Sequence, residues 1–562
     1  AAGAELAEQL PPAVFDAHAH LYRREALAVR PGSLFATGPE TVGPDAWRTH
    51  VGRQVGPERL TGALFLPTPF VPAAQVPAAN QWIVQAAAGQ PQAKVLLLAT
   101  PTGSQDHVEA LLDHPQVAGF KPYHTYSLVQ PTFDALPPAY VPEWVWGLAH
   151  RHGLVITLHL VRHQALADPG NSRYLREHAW DYPQARIVLA HGGRGFHAPN
   201  VAPGLEALGD LPNLWFDSSG LCEPEPLRRI LDAVGPRRLL WGSDFPVSEQ
   251  RGRCVTAGDG FAWLTPETLK LDRLSPACRL LPVGLESLRA LLAAGRDFGF
   301  TAADLQDVFA DNARRLLGSA DPTGNRTQDL YRHAKERLPG GVQLLSKRPE
   351  MMAPGQWPAY FREARGCDVW DLDGRHYHDF STNGIGSCLL GFRDPDVTRA
   401  VQRRVALGSM CSLNPPEEVD LADLLCRLHP WAEQVRFARC GGEACAVAVR
   451  IARATTDRSL VAICGYSGWQ DWYLAANLGE GDALRGHLLP GLDPLGVPRE
   501  LRGTALTFAF NDLAAFRDLL DRHGNRLAAV VMEPCRSGDP QPGFLEAVRA
   551  GTQRVGALLV FD

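Results

Sequence analysis

Short apolar runs in the N-terminal half of the chain each reach a histidine or an aspartate where turn-forming residues begin. The runs lie in Val14–His20, Leu154–His159, Ala185–Gly193 and Arg238–Pro246. Continuous apolar runs of this length are typical of parallel strands that are covered on both faces. Between the runs, the patterns of Trp144–His152 and Leu227–Val234 favour helices. This alternation predicts a barrel of strands and helices, in which the chemistry lies at the C-terminal ends of the strands.

The polar residues at these strand ends are of types that bind metal ions. His18 and His20 are two residues apart, so on a strand both side chains point to the same face. His159, His191 and Asp244 follow later runs at equivalent places. Any one of them alone could be an ordinary hydrogen-bonded residue, but their common position favours one site. Imidazole and carboxylate ligands suit zinc, manganese or iron.

Composition limits the classes of protein that the chain can belong to. Its 562 residues are too many for one core and predict two or three domains. A net charge of −6, spread over this length, indicates neither nucleic-acid nor membrane binding. No apolar stretch approaches the roughly 18–20 residues that a membrane span needs. Eleven cysteines without CxxC spacing favour a reducing, cytoplasmic location.

The second half of the chain has a different pattern, which begins after a turn-rich junction at Gly318–Arg326. A helix is predicted over Thr327–Arg337, and Asp373–Gly374 predicts a hairpin between Cys367–Leu372 and Arg375–Phe380. Helices and strands then alternate over Glu417–Leu428, Gln434–Ala438, Ala444–Ala454, Leu460–Cys464 and Ala528–Met532. We therefore expect a barrel over residues 1–320, a linker and leading helix over 321–345, and an open α/β domain over 346–562.

Several motifs of the first half resemble those of the amidohydrolase superfamily. They are DAHAH at 16–20, GFKPY at 119–123, TLHL at 157–160, LAHGG at 189–193, GSDFP at 242–246 and DNARRLLG at 311–318. Over residues ~13–320 the chain is similar to the amidohydrolase-related branch, which contains metal-dependent decarboxylases and hydrolases. The resemblance implies a (β/α)8 TIM barrel and a small-molecule substrate.

The resemblance also implies roles for the residues at the strand ends. His18, His20, His159 and Asp244 would hold one divalent metal, with zinc the first choice and manganese or iron as alternatives. Asp244 would also accept a proton from metal-bound water. His191 would lie beside the metal, either as an outer ligand or as the general acid/base. The sequence leaves hydrolysis and decarboxylation equally open.

Further residues are candidates for contacts with the substrate. Lys121 lies where some relatives carry a carboxylated lysine between two metals. The decarboxylase-like branch implies a single metal, so Lys121 would at most pair with a charge on the substrate. Arg194, Tyr123 and His124 are additional pocket candidates. Glu249–Pro276 reads as a long insertion, and we expect it to lie over the barrel mouth.

The second half resembles the fold-type I, class III aminotransferases, closest to the glutamate-1-semialdehyde aminomutase group. The motifs are LPGG at 338–341, VWDLDGRHYHDF at 369–380, LNPPEEVDLADLL at 413–425, RFARCGGEACAVAVRIAR at 436–453, GYSGWQDWY at 465–473, VVMEP at 530–534 and GALLVFD at 556–562. The resemblance implies pyridoxal 5'-phosphate as cofactor and a homodimer formed through this half.

Five residues would bind that cofactor by resemblance. Gly441 and Gly442 open a helix whose N–H groups would bind the phosphate. Tyr466 would stack on the pyridine ring, Glu533 would lie near it, and Asp562 would pair with the pyridinium nitrogen.

The lysine that binds the cofactor covalently in this family has no counterpart among these motifs. Lys347 is the last lysine of the sequence and precedes every residue that would bind the cofactor. We expect that the domain is cut before this lysine, which would follow Asp562 in a longer chain; the alternative is an inactive remnant. The sequence thus predicts a bifunctional enzyme, a hydrolase or decarboxylase fused to an aminotransferase or aminomutase. In the alternative, only the barrel is catalytic and the second half is a dimerisation scaffold.

Overall fold

The computed structural model of the chain divides into two compact units, residues 1–360 and 361–562. The structure describes residues 2–29, 33–90, 92–209, 211–269, 279–318, 325–381, 386–479, 483–484, 493–535 and 538–562. Among these residues, no helix combines the length and the apolar character that a bilayer crossing requires.

Eight parallel strands form a nearly closed barrel in the first unit. They are β1 Val14–His20, β2 Leu60–Leu66, β3 Ala93–Ala99, β4 Val117–Pro122, β5 Val155–Leu158, β6 Arg186–Leu189, β7 Leu214–Asp217 and β8 Leu239–Leu240. Each strand pairs with the next in chain order. The backbone N–H of Ala17 donates to the carbonyl of Trp241 at 3.0 Å, and Ala19 forms a parallel bridge with Phe245, so β1 also contacts the segment that follows β8. The predicted barrel is confirmed.

Helices of the first unit surround these strands or follow them. They are Ala2–Ala7, Leu34–Thr37, Pro44–Val55, Val76–Ala87, Gln105–Leu112, Glu143–His152, Pro169–Asp181, Ala202–Leu208, Pro224–Val234, Val283–Phe298, Ala302–Gln306, Asn312–Leu316 and Arg326–Arg337. Pro224–Val234 shows why such segments become helical. It begins with a proline at its first position, ends at Gly235 with φ 71°, and buries Leu227, Ile230, Leu231 and Val234 on one face. Each buried apolar side chain of this size contributes about 1.5–3 kcal/mol.

The predicted insertion Glu249–Pro276 contains an antiparallel hairpin rather than only loop. Its strands are β9 Arg253–Ala257 and β10 Gly260–Leu264, joined at Gly258, which has φ 58°. Residues 270–276 of the insertion lie outside the described residues.

A three-stranded antiparallel sheet opens the second unit. Its strands are β11 Phe361–Arg365, β12 Asp368–Asp371 and β13 His376–His378. The hairpin predicted from Asp373–Gly374 is present, with Gly374 at φ 87° and the Asp371 carboxylate accepting from the backbone N–H of Asp373 at 2.9 Å. Strand β11 was not predicted.

The remainder of the second unit is built on an open parallel sheet, as predicted. Its strands are β14 Leu460–Cys464, β15 Ala505–Thr507, β16 Leu527–Met532 and β17 Leu558–Phe561, in the order β15–β14–β16–β17. Its helices are Pro395–Ala406, Glu417–Leu428, Gly441–Thr456, Asp471–Leu474, Leu513–His523 and Phe544–Val555. The element predicted over Gln434–Ala438 is wrong, because these residues form neither helix nor strand and are largely exposed. A short apolar run becomes a strand only where a neighbouring strand pairs with it.

Candidate metal centre and cofactor site

Three candidate ligands converge at the C-terminal end of the barrel. The Nε2 atoms of His18 and His20 lie 3.3 Å apart. Asp244 follows β8, and its Oδ1 lies 3.6 Å from His18 Nε2 and 3.3 Å from His20 Nε2. All three side chains are buried, and one donor atom of each lies within 4.8 Å of the others. The first and last strands of the barrel therefore form one cluster of donors.

The outer ring nitrogens of both histidines are already engaged. His18 Nδ1 lies 2.9 Å from Asp217 Oδ2, and His20 Nδ1 lies 3.0 Å from the carbonyl oxygen of Pro67. Each Nδ1–H can therefore donate outward, which leaves the two Nε2 lone pairs facing each other and the Asp244 carboxylate. Burial lowers the pKa of His18 to about 4, so this ring is neutral at pH 7. Two imidazoles and a carboxylate in this arrangement fit a divalent cation.

Asp217 is a further residue of this site, and sequence reasoning missed it. It ends β7, and its Oδ1 accepts from the backbone N–H groups of His191 and Ser219, both at 3.0 Å. Burial alone would raise the pKa of its carboxyl, but the contact with His18 holds that pKa well below the usual range. The signal was present, because Leu214–Asp217 is another apolar run ended by aspartate, though only four residues long.

His191 is presented to the site by a left-handed turn. Residues His191, Gly192, Gly193 and Arg194 have φ values of 54°, 59°, 71° and 61°. A left-handed conformation costs about 1–2 kcal/mol per residue for side chains other than glycine, so the two glycines halve the strain. His191 Nδ1 lies 2.9 Å from the carbonyl oxygen of Ser219, and its ring lies 5.2 Å from the ring of His18.

His159 lies beside the cluster rather than within its innermost group of donors. Its ring lies 5.3 Å from the ring of His191 and stacks on His124 at 5.6 Å. Its Nδ1 has no hydrogen-bond partner among the described residues. Burial holds the pKa of this ring well below its usual value, so His159 is a neutral donor near the site.

Lys121 is buried at the end of β4. Its side chain is about 1% exposed, its Nζ lies 4.9 Å from the centre of the Tyr123 ring, and within the described part of the chain this amine has no hydrogen-bond partner. Burial lowers the pKa of Lys121 to about 8, while the negative charges of Asp217 and Asp244 act in the opposite direction. This lysine is therefore an interior charge close to the donor cluster.

Aromatic side chains surround the residues that follow His191. The guanidinium of Arg194 lies between Phe133 and Phe261, 5.3 and 5.4 Å from the two ring centres. Phe196 stacks on His191 at 5.7 Å and contacts Phe261 at 4.9 Å. Because Phe261 belongs to β10, the insertion contributes side chains next to the site.

In the second unit, two of the predicted cofactor contacts begin the helix Gly441–Thr456. Among the described residues, none lies within 4 Å of a Cβ added at Gly441, so none of them fills the space at this helix end. A Cβ at Gly442 would instead lie 2.0 Å from the side-chain nitrogen of Gln470. Gln470, which was not predicted, therefore borders the place where a phosphate would bind.

The other three predicted cofactor contacts follow adjacent parallel strands. Tyr466 follows β14, Glu533 follows β16, and Asp562 follows β17. Glu533 Oε2 accepts from the backbone N–H of Tyr466 at 3.0 Å, and the backbone N–H of Asp562 donates to the carbonyl of Met532 at 3.0 Å. The C-terminal edge of an open parallel sheet is where such folds bind ligands.

Comparison with family models identifies both parts of the chain. Residues 15–319, more than half of the sequence, match the model described as amidohydrolase. The chain belongs to the amidohydrolase family. Residues 351–562 match the model described as aminotransferase class-III, so an amidohydrolase domain is followed in sequence by an aminotransferase class-III domain.

Curated relatives match the aminotransferase class-III domain. Glutamate-1-semialdehyde 2,1-aminomutase of Acidobacterium capsulatum is 37% identical over 243 residues, which are 42% of this chain and 55% of the relative. The enzyme of the same name from Chloroflexus aggregans is 36% identical over 244 residues, 42% of this chain and 54% of the relative. The chain thus spans about half the length of the curated relatives it matches.

Solved structures resemble each domain separately. An omega-transaminase from Sphaerobacter thermophilus has a TM-score of 0.37 and 30% identity, covering 43% of this chain and 55% of its own. An amidohydrolase from Burkholderia multivorans with bound zinc has a TM-score of 0.36 and 16% identity, covering 54% of this chain and 99% of its own.

Proposed function

We propose that the amidohydrolase domain is a metal-dependent hydrolase or decarboxylase of a small polar substrate. The observation that carries this proposal is the convergence of His18 Nε2, His20 Nε2 and Asp244 Oδ1, with both outer imidazole nitrogens engaged elsewhere. A divalent ion held there, zinc first and manganese or iron as alternatives, would lower the pKa of bound water to about 7 and polarise a carbonyl or carboxylate oxygen. His159 would complete the ligand set.

Residues of the domain would carry the remaining tasks. The Asp244 carboxylate would accept the proton of the attacking water. His191, whose Nδ1 faces the Ser219 carbonyl, would use Nε2 to protonate a leaving group or a developing carbanion. Lys121 and Arg194 would supply positive charge for an anionic group of the substrate.

Metal content tests the ligand assignment. We expect the double variant His18→Ala/His20→Ala to lose one divalent ion per chain relative to the wild type, measured by elemental analysis after gel filtration. The matched control is His150→Ala/His152→Ala, which removes two histidines from the helix Glu143–His152 and should retain the ion. Unchanged metal content in the first variant would disprove the assignment.

Product mass distinguishes hydrolysis from decarboxylation. We would incubate the metal-loaded protein with a set of small carboxylic acids, lactones and amides and follow them by mass spectrometry. A substrate that loses carbon dioxide identifies a decarboxylase, and one that gains water identifies a hydrolase. His191→Asn should retain the metal and lose turnover; loss of the metal would instead make His191 a direct ligand.

We further propose that the second domain acts as a pyridoxal-phosphate-dependent aminotransferase or aminomutase. Three observations support this proposal. They are the family match over residues 351–562, the space at Gly441 that no described residue fills, and the sheet edge shared by Tyr466, Glu533 and Asp562. The cofactor supplies an electron sink when bound. The backbone N–H groups of Gly441 and Gly442 would bind its phosphate, and Asp562 would hold a proton on its ring nitrogen.

The natural protein, in whatever length the cell makes it, provides the test of this second activity. Intact mass and peptide mapping establish whether a lysine follows Asp562, and borohydride reduction establishes whether a lysine is joined to the cofactor. A labelled lysine supports two active sites. A natural chain without such a lysine refutes the aminotransferase activity.

One observation favours the second candidate function, a dimerisation scaffold. The helices Pro395–Ala406 and Glu417–Leu428 contain no buried residue. Their apolar side chains form exposed stripes at helical spacing, which comprise Val397, Val401, Val405, Leu421, Leu424 and Leu428. We assign these stripes to contact with a second copy of the chain. Sedimentation should give a dimer that Val401→Glu weakens and the neighbouring control Gln402→Glu does not; a monomeric wild type refutes the scaffold.

A further inference from the structure

A second cluster of metal-ligating side chains lies on the three-stranded sheet β11–β13, outside both sites described above. Asp368 Oδ1 lies 2.7 Å from His376 Nε2 and 2.9 Å from His378 Nδ1. Donor atoms of Cys367, Asp368 and His378 all lie within 4.8 Å of one another. A thiol, a carboxylate and an imidazole therefore meet at one point, and the imidazole of His376 contacts the same carboxylate.

Strand register explains why these four residues meet. Asp368 pairs directly with His378 across β12 and β13, and Trp370 pairs with His376. His376 and His378 are two residues apart on a strand, so both side chains share the face on which Asp368 lies. Cys367 immediately precedes β12, its carbonyl accepts from the backbone N–H of Asp379 at 2.8 Å, and its donor atom lies within 4.8 Å of those of Asp368 and His378.

The sheet that carries this cluster lacks an apolar core in the described structure. Across its three strands the single buried residue is Asp371, a polar one. None of the hydrophobic clusters formed by the described residues includes a residue of these strands. Small sheets without a hydrophobic face need another source of stability, and a bound metal is one such source.

We propose that this cluster is a binding site for a divalent ion of the zinc class. Cys367 Sγ, His378 Nδ1 and Asp368 would be ligands, and His376 Nε2 would provide the fourth. One sulfur, two nitrogens and one oxygen form a tetrahedral donor set that suits zinc. Binding replaces the two contacts between the histidines and Asp368, and the Cys367 thiol releases its proton to solvent. The ion cross-links the turn before β12 to β13.

Cobalt distinguishes this site from the barrel centre, because only this site contains sulfur. Titration of the metal-stripped full chain with Co²⁺ should produce a thiolate-to-cobalt charge-transfer band that saturates within two equivalents, because the barrel centre also takes up one ion. Cys367→Ser and His378→Gln should each abolish the band. The exposed-cysteine control Cys411→Ser should retain it, as should the barrel variant His18→Ala/His20→Ala. Absence of the band in the wild type, or its persistence in Cys367→Ser, overturns the proposal.

Hydrogen exchange provides a second readout that does not depend on activity. At free Zn²⁺ about 100 times its Kd, exchange of peptides covering residues 361–380 should slow by up to about 100-fold in the wild type. Cys367→Ser should show no such change, while protection of β14 and β16 in the same data verifies that the variant is folded. Equal exchange with and without Zn²⁺ in the wild type overturns the cross-linking role.

Discussion

Replacement of Lys121 by methionine should stabilise the amidohydrolase domain. The ammonium group is buried at the end of β4 without a hydrogen-bond partner among the described residues. Burial lowers its pKa from the ordinary 10.5 to about 8. Because each pKa unit corresponds to about 1.4 kcal/mol, the charged lysine costs the folded state up to about 3 kcal/mol at pH 7. Methionine fills a similar volume without the charge.

The pH dependence of stability follows from the same difference between the pKa of Lys121 in the folded and in the unfolded chain. Below pH 8 the lysine is charged in both the folded and the unfolded chain, so the full cost is present. As pH rises through 8, the folded state releases the proton while the unfolded state keeps it until about pH 10.5. The wild type therefore gains stability over this interval and Lys121→Met does not. The advantage of the variant should shrink steadily between pH 8 and pH 10.

The measurement must isolate the barrel from the other domain. Urea denaturation of the full chain, with a chelator present, can be followed by hydrogen exchange in peptides that cover β4 and β5. Lys94→Met is the matched control, because Lys94 lies partly exposed on β3 and its Nζ donates to the carbonyl of Pro115 at 2.6 Å. A Lys121→Met variant that is less stable than the wild type at pH 7, or an advantage independent of pH, refutes the reasoning.

Two further substitutions test the residues around the metal centre. Asp217→Asn should weaken metal binding by about 10–100-fold, because His18 loses the carboxylate that orients it. Competition with a chromophoric chelator measures the affinity, and Ser218→Ala is the control. Equal metal affinities of Asp217→Asn and the wild type would contradict this role. Gly192→Ala should lower the free energy of unfolding by about 1–2 kcal/mol, since φ is 59° and the added Cβ would lie 2.8 Å from Ile230 Cδ1. Gly147→Ala in the helix Glu143–His152 should instead raise the free energy of unfolding by up to about 1 kcal/mol. Urea titration measures the free energy of unfolding of both glycine variants.

The sequence was most informative where one strand carries several signals. Residues 14–20 combine an apolar run with two histidines on one face, so both the strand and its ligands could be predicted. Strands β2 and β3 end without a ligand residue, and their positions became clear only from the pairing order of the barrel. Asp217 was missed for a related reason, since a four-residue run gives little periodicity to read.

Other features depend on geometry that residue spacing does not contain. His159 follows its strand as predicted, yet its ring stacks on His124, and side-chain packing decides that orientation. The left-handed turn at His191 is encoded only indirectly, by the two glycines that tolerate it. In the second unit, the hairpin turn was readable from Asp373–Gly374, whereas β11 is defined by its pairing with β12, which follows it directly through Gly366 and Cys367.

The turn His191–Arg194 links the donor cluster of the amidohydrolase domain to the aromatic side chains of Phe133 and Phe261. One end carries the imidazole beside the donor cluster, and the other carries the guanidinium held between Phe133 and Phe261. Four consecutive residues of left-handed backbone leave little freedom for one end to move while the other stays in place. Any backbone change that adapts Arg194 to a differently shaped molecule would also rotate His191. The position of the Arg194 guanidinium and the orientation of the His191 ring must therefore evolve together.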